Sequence, residues 1–63
     1  MTTEEFEKTE FKRGMTCWYC GSRYKIISKD YYTKSFFLAR LGENELIYLV
    51  RYEYVSDIQY PAK

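Results

Sequence analysis

Polar and apolar positions alternate with a period of two along much of this chain. Arg23 to Ser28 sets Tyr24, Ile26 and Ser28 against Arg23, Lys25 and Ile27. Such alternation predicts a strand with one face on a core. Met15 to Cys20, rich in aromatics, predicts the strand before it, and Cys20-Gly21-Ser22 predicts the tight turn between them, where positive φ is tolerated. Lys29-Asp30 starts a polar corner that ends near Ser35. Phe36 to Leu41 predicts a third strand, Gly42-Glu43-Asn44 a turn, and Glu45 to Tyr52 a fourth strand. Glu53 to Asp57 reads as a tight connection and Ile58 to Tyr60 as a last short strand, stopped by Pro61, which cannot donate to a ladder.

Ahead of the strands, Thr2-Thr3-Glu4-Glu5 fits a capping box, with a Thr cap and Glu three residues on. Residues 3–9 therefore predict one or two helical turns or a frayed arm, with Phe6 as its main apolar anchor. The expected organisation is an acidic arm or short helix over residues 1–10 and a β-barrel over residues 11–63. Five short strands at close spacing suit a small barrel, which also removes exposed strand edges.

Composition sharpens this picture. Sixty-three residues make one domain, whose core supplies only roughly 3–5 kcal/mol unless something staples it. Here the staple is aromatic: eight Tyr, four Phe and one Trp. Each buried ring removes roughly 150–250 Å² from water.

Net charge is +1, too small for strong steering toward nucleic acid or membrane. Glu4, Glu5, Glu7 and Glu10 make the start acidic, and the middle of the chain is basic. No apolar run is long enough for a membrane span. The acidic start resembles neither a signal nor a transit peptide. A cytoplasmic location without membrane association is expected, with Cys17 and Cys20 reduced.

Phe11-x-x-Gly14-x-x-Cys17-x-Tyr19-x-Gly21-x-x-Tyr24-x-Ile26 resembles the opening hairpin of small SH3-like barrels. The segment Leu49-Val50-Arg51-Tyr52-Glu53-Tyr54-Val55-Ser56-Asp57-Ile58 is similar to their closing segment, in particular in short proteins of phages and bacterial mobile elements. The resemblance implies a five-stranded SH3-like barrel. It carries over no catalytic residue, and Cys20 departs from it where a turn residue such as Asn is usual.

The sharpest chemical motif is Cys17-Trp18-Tyr19-Cys20-Gly21, the shape of half a zinc knuckle. The chain has no other Cys and no His, so a full site needs a symmetric dimer or carboxylate ligands. The alternative is two ordinary cysteines, Cys17 facing the core and Cys20 in the turn, because strand positions three apart face opposite ways. A redox pair is disfavoured because no helix follows to lower a thiol pKa. The expectation is no metal and no cofactor. Catalysis has no support either: the serines lack a His, and there is no phosphate-binding glycine loop.

Binding is the remaining class. If Cys17, Tyr19, Tyr24, Ile26, Val50, Tyr52, Val55 and Ile58 face inward, then Trp18, Ile27, Ile47 and Leu49 face outward. Surplus apolar surface on a small protein points to a partner, unless the N-terminal arm folds over it through Phe6. The expected contact residues are Trp18, Ile47 and Leu49, with Tyr31 and Tyr32 on the adjoining loop, for a protein partner or a second copy. The alternative is single-stranded nucleic acid, held by Arg23, Lys25, Lys34 and Arg40 among aromatics on which bases stack.

Overall fold

The computed structural model describes residues 1–42 and 46–61. Helix α1 (Thr3–Lys8) starts at the capping box: the Thr2 hydroxyl accepts from the Glu5 N–H at 3.1 Å, and the Glu5 carboxylate accepts from the Thr2 N–H at 3.0 Å. Those bonds, the one from the Thr2 backbone first, hold the Glu5 carboxyl below its ordinary value. Thr9 ends the helix in extended backbone, with its hydroxyl donating to the Glu5 carbonyl at 2.6 Å.

Strands β1 (Thr16–Tyr19), β2 (Ser22–Asp30), β3 (Ser35–Arg40), β4 (Tyr48–Arg51) and β5 (Ser56–Gln59) form one antiparallel sheet in the order β4-β3-β2-β1-β5. The β1–β2 turn forms at Cys20 (φ 51°) and Gly21 (φ 81°), as the turn chemistry predicts. A 3-10 turn, Tyr52–Tyr54, joins β4 to β5.

Three features differ from the sequence expectation. The sheet is open rather than a closed barrel, with β4 and β5 at its two edges. Its two edge strands have four residues each, and the helix sends Phe6 into the core. Second, β4 begins at Tyr48 rather than Glu45, Tyr52 belongs to the 3-10 turn, and β5 begins at Ser56 rather than Ile58. The expected turn at Glu43-Asn44 lies outside the described residues. Third, β2 runs through Lys29 and Asp30, where a polar corner was expected.

The third difference has a local cause. Register with β3 shifts between Ile26 and Ser28, which leaves Ile27 as an extra, bulged residue. Beyond the bulge the alternation is reversed. Lys29, paired with buried Phe36, then shares the core side with Ile26. Its ammonium reaches the carbonyls of Phe6 and, at 2.7 Å, of Thr9, at the C-terminal end of α1. It also lies 4.4 Å from the centres of the Phe6 and Tyr31 rings. A cation suits that end of a helix, where the last carbonyls lack partners. Lys29→Met keeps the aliphatic stem and removes the charge. It is expected to cost about 1–2 kcal/mol in urea unfolding, as lost charged hydrogen bonds do. It should also speed amide exchange selectively in residues 3–9; unchanged exchange there would show that Lys29 does not anchor the helix.

The core joins every element: Phe6, Met15, Cys17, Tyr24, Ile26, Phe36, Leu38, Val50 and Val55, with Tyr19, Tyr52 and Ile58 packed against it. The Phe6 ring meets Phe36 edge-on at 5.3 Å and Tyr52 at 5.5 Å. The Tyr52 hydroxyl shares a 2.6 Å hydrogen bond with Thr3. The helix therefore plugs the core, and Phe6 is buried beneath it rather than spread over the outer face. No buried side-chain polar atom among the described residues lacks a partner. Gly14 sits at φ 93°, and a Cβ there would come 2.9 Å from the Pro61 Cβ. The glycine thus serves both the turn and the close approach of the chain end.

Candidate functional site

Register decides which side chains share the outer face. Cys17 pairs with Tyr24, and Phe36 with Val50, on the core side. The opposite side carries Thr16 with Lys25, Trp18 with Arg23, and Phe37 with Leu49. Continuing the β3–β4 register by one residue sets Ile47 beside Ala39. Ile47 and Leu49 are 55% and 52% exposed, and they flank half-buried Phe37. Leu46 and Leu41 are exposed near the same end of β3 and β4. The result is an apolar strip along the β4 side of the sheet.

Trp18 is exposed on the same face but three strands away, roughly 14 Å at the usual strand spacing. It stacks with Arg23, whose guanidinium carbon lies 5.8 Å from its ring centre. Arg23 is itself held by Asp57, donating to that residue's carbonyl at 2.7 Å and to its carboxylate. Tyr31 and Tyr32 are in the β2–β3 turn, at the end of β2 far from Trp18. Arg23 stands near the start of β2, whereas Tyr31 follows its last residue, Asp30. Tyr31 packs edge-on against Phe6 at 6.2 Å, while Tyr32 is fully exposed. The five expected contact residues thus fall into three places: Ile47 with Leu49, Trp18 with Arg23, and the tyrosines at the far turn.

The four cations named for nucleic acid are also spread. Lys25 is partly buried on the outer face, Lys34 sits at φ 53° in the β2–β3 turn, and Arg40 ends β3 across from Tyr24. Lys25 lines a shallow cleft of about 370 Å³ with Phe11, Arg13 and Ile27. A second cleft, about 350 Å³, runs between α1 and β5, from Glu5 and Thr9 to Ser56 and Ile58.

Cys17 is fully buried and Cys20 exposed in the turn. Burial pushes the Cys17 thiol up to about 11, with Arg23 offsetting part of that. Among the described residues no group of three Cys, Asp or Glu side chains converges on one point. No helix of the described residues is long and apolar enough to cross a membrane.

Sequence reasoning missed Lys29 and the strip's dependence on Phe37. Lys29 depends on the bulge at Ile27, which has no marker in the residue pattern, whereas Phe37 follows from the alternation of β3, between buried Phe36 and Leu38. Comparison with known protein families, characterised proteins and solved structures finds no match.

Proposed function

We propose that this chain is a non-catalytic protein-interaction module of SH3-like architecture, which binds through the apolar strip at Phe37, Ile47 and Leu49. Three things support the architecture: the strand order, the bulge that bends the long β2, and the 3-10 turn between β4 and β5. The exposure of Ile47 and Leu49 beside one another carries the binding reading. Clustered apolar surface of this kind, rimmed by polar residues, marks interaction sites more often than scattered single side chains do. Nucleic-acid binding has less support, because Arg23 is engaged by Asp57 and Lys34 lies at the other end of the sheet.

The experiment is capture from a lysate of the source cells on immobilised chain, run in parallel with Leu49→Glu. Leu49 is half exposed, so this variant should keep its stability within about 0.5 kcal/mol. A protein retained by the parent and released by the variant is the expected result. Equal retention on both would remove the strip as the binding surface. Salt-sensitive retention of single-stranded DNA, lost in Lys25→Glu, would favour the nucleic-acid reading instead.

A further inference from the structure

The two edges of the sheet are built differently. On β5, Asp57 has left-handed backbone (φ 48°), the register with β1 shifts between Thr16 and Trp18, and Pro61 follows the strand. Helix α1 flanks that edge across the cleft at Glu5 and Ser56. Kinks, proline and a covering element are the usual devices that keep a strand edge from pairing. The β4 edge has none of them among the described residues. Its pairing with β3 is regular from Arg51 to Tyr48; it is as short as β5, and Arg51 at its end is its one charged residue.

The backbone of β4 shows which groups are free. The Tyr52 N–H donates to the Lys34 carbonyl at 3.0 Å, which makes Tyr52 and Lys34 a hydrogen-bonded pair. Pairs alternate along an antiparallel ladder. Val50 and Tyr48 therefore bond to β3, while the N–H and C=O groups of Leu49 and Arg51 point to the free edge. The same holds for Ile47 if the register is continued.

We propose that β4 pairs antiparallel with β4 of a second copy of this chain, about a two-fold axis at Leu49; this rests on the interaction reading above and names its partner. In that register Leu49 faces the partner's Leu49, and Arg51 faces the partner's Ile47. All these residues point their free N–H and C=O groups at one another, so each pair exchanges both of its bonds. The Leu49 side chains meet on the outer face and extend the apolar strip across the axis. Like charges are not opposed: the two Arg51 side chains lie at opposite ends of the paired segment, and each is held by its own Glu53 at 2.9 Å. A net charge of +1 puts little long-range repulsion between copies. The paired segment is short, so the dimer is weak.

Sedimentation equilibrium from about 5 μM to 1 mM tests this. The expected result is a monomer–dimer equilibrium in the parent chain and a weakening of at least tenfold in Leu49→Lys, with unchanged circular dichroism. Register is tested by oxidising Leu49→Cys in a Cys20→Ser background. Facing Cα atoms of a bonded pair are about 5.5 Å apart, within disulfide range. Tyr48→Cys in the same background should not cross-link, because in this register Tyr48 faces Val50 and its own copy lies roughly 8 Å away. A monomer throughout overturns the proposal, as does a dimer that cross-links at Tyr48 but not at Leu49. A dimer indifferent to Leu49→Lys but broken by Trp18→Ala overturns it too, yet leaves self-binding standing. Capture of a foreign protein by a strictly monomeric chain would uphold the interaction reading and sink the second-copy one.

Discussion

Phe6→Ala is expected to unfold much of the population at 25 °C, not merely to release the helix. Phe6 is 1% exposed and touches Phe36, Tyr52 and Tyr31 through its ring, with the Lys29 ammonium over its face. Truncating a buried Phe to Ala typically costs about 3–5 kcal/mol. A core of this size supplies roughly the same amount in total. The single residue is therefore expected to consume nearly the whole stability margin. Urea unfolding followed by circular dichroism and by Trp18 fluorescence measures it. The control is Glu7→Ala, exposed on the same helix, which should change stability by less than about 0.5 kcal/mol. If Phe6→Ala keeps a cooperative sheet transition within about 1 kcal/mol of the parent, the helix is an accessory arm and the core ends at β1.

That expectation bears on what the residue pattern can reveal. Thr2-x-x-Glu5 marked the helix start correctly, because a capping box depends only on neighbours in sequence. The destination of Phe6 depends on a gap between β3 and the 3-10 turn, and no local pattern encodes that gap. The first hairpin was legible for the same reason as the cap. Strict alternation and a turn at Cys20-Gly21 fix its register within a few residues. Cys17, Tyr24 and Ile26 accordingly face the core.

Beyond Ile26 the alternation misleads. One bulged residue reverses the faces, and Lys29 then reads as a corner when it is a core-side strand residue. The lysine is tolerated there because the helix end offers it carbonyls, a partner that exists only after folding. The outer strip was partly legible: Ile47 and Leu49 follow from the inward assignment of Val50. Its separation from Trp18 was not, because strand order sets that distance and strand order is a long-range property. Outward parity of Trp18 and the adjoining loop of Tyr31 and Tyr32 suggested one surface, and topology divides them.

The two cysteines yield the other large expected effect, a gap of roughly two to nearly four orders of magnitude between their labelling rates. At pH 8 Cys20, exposed in its turn, should react with a thiol reagent such as Ellman's at the rate of a free thiol. Cys17 is closed inside the core, so it reacts only from opened molecules, whose fraction follows from about 3–5 kcal/mol of stability. The same burial fixes a pH dependence. The folded Cys17 thiol titrates at about 11, above the ordinary 9.0, so between those values the unfolded chain holds fewer protons than the folded one. Stability therefore falls as pH rises through that window, and this contribution is fully present below it. Cys17→Val isolates the contribution of the thiol: the variant should lose less stability than the parent between pH 9 and 11. Val is also similar in bulk to Cys, so it should leave stability at pH 7 within about 1 kcal/mol. Two thiols labelled together in one fast phase would place Cys17 outside the core. That result would reopen a shared metal site, because the pair could then present both thiolates to one ion across a dimer. With Cys17 inward, the pair offers an ion in solvent one thiolate, that of Cys20, against the four ligands a structural zinc site takes.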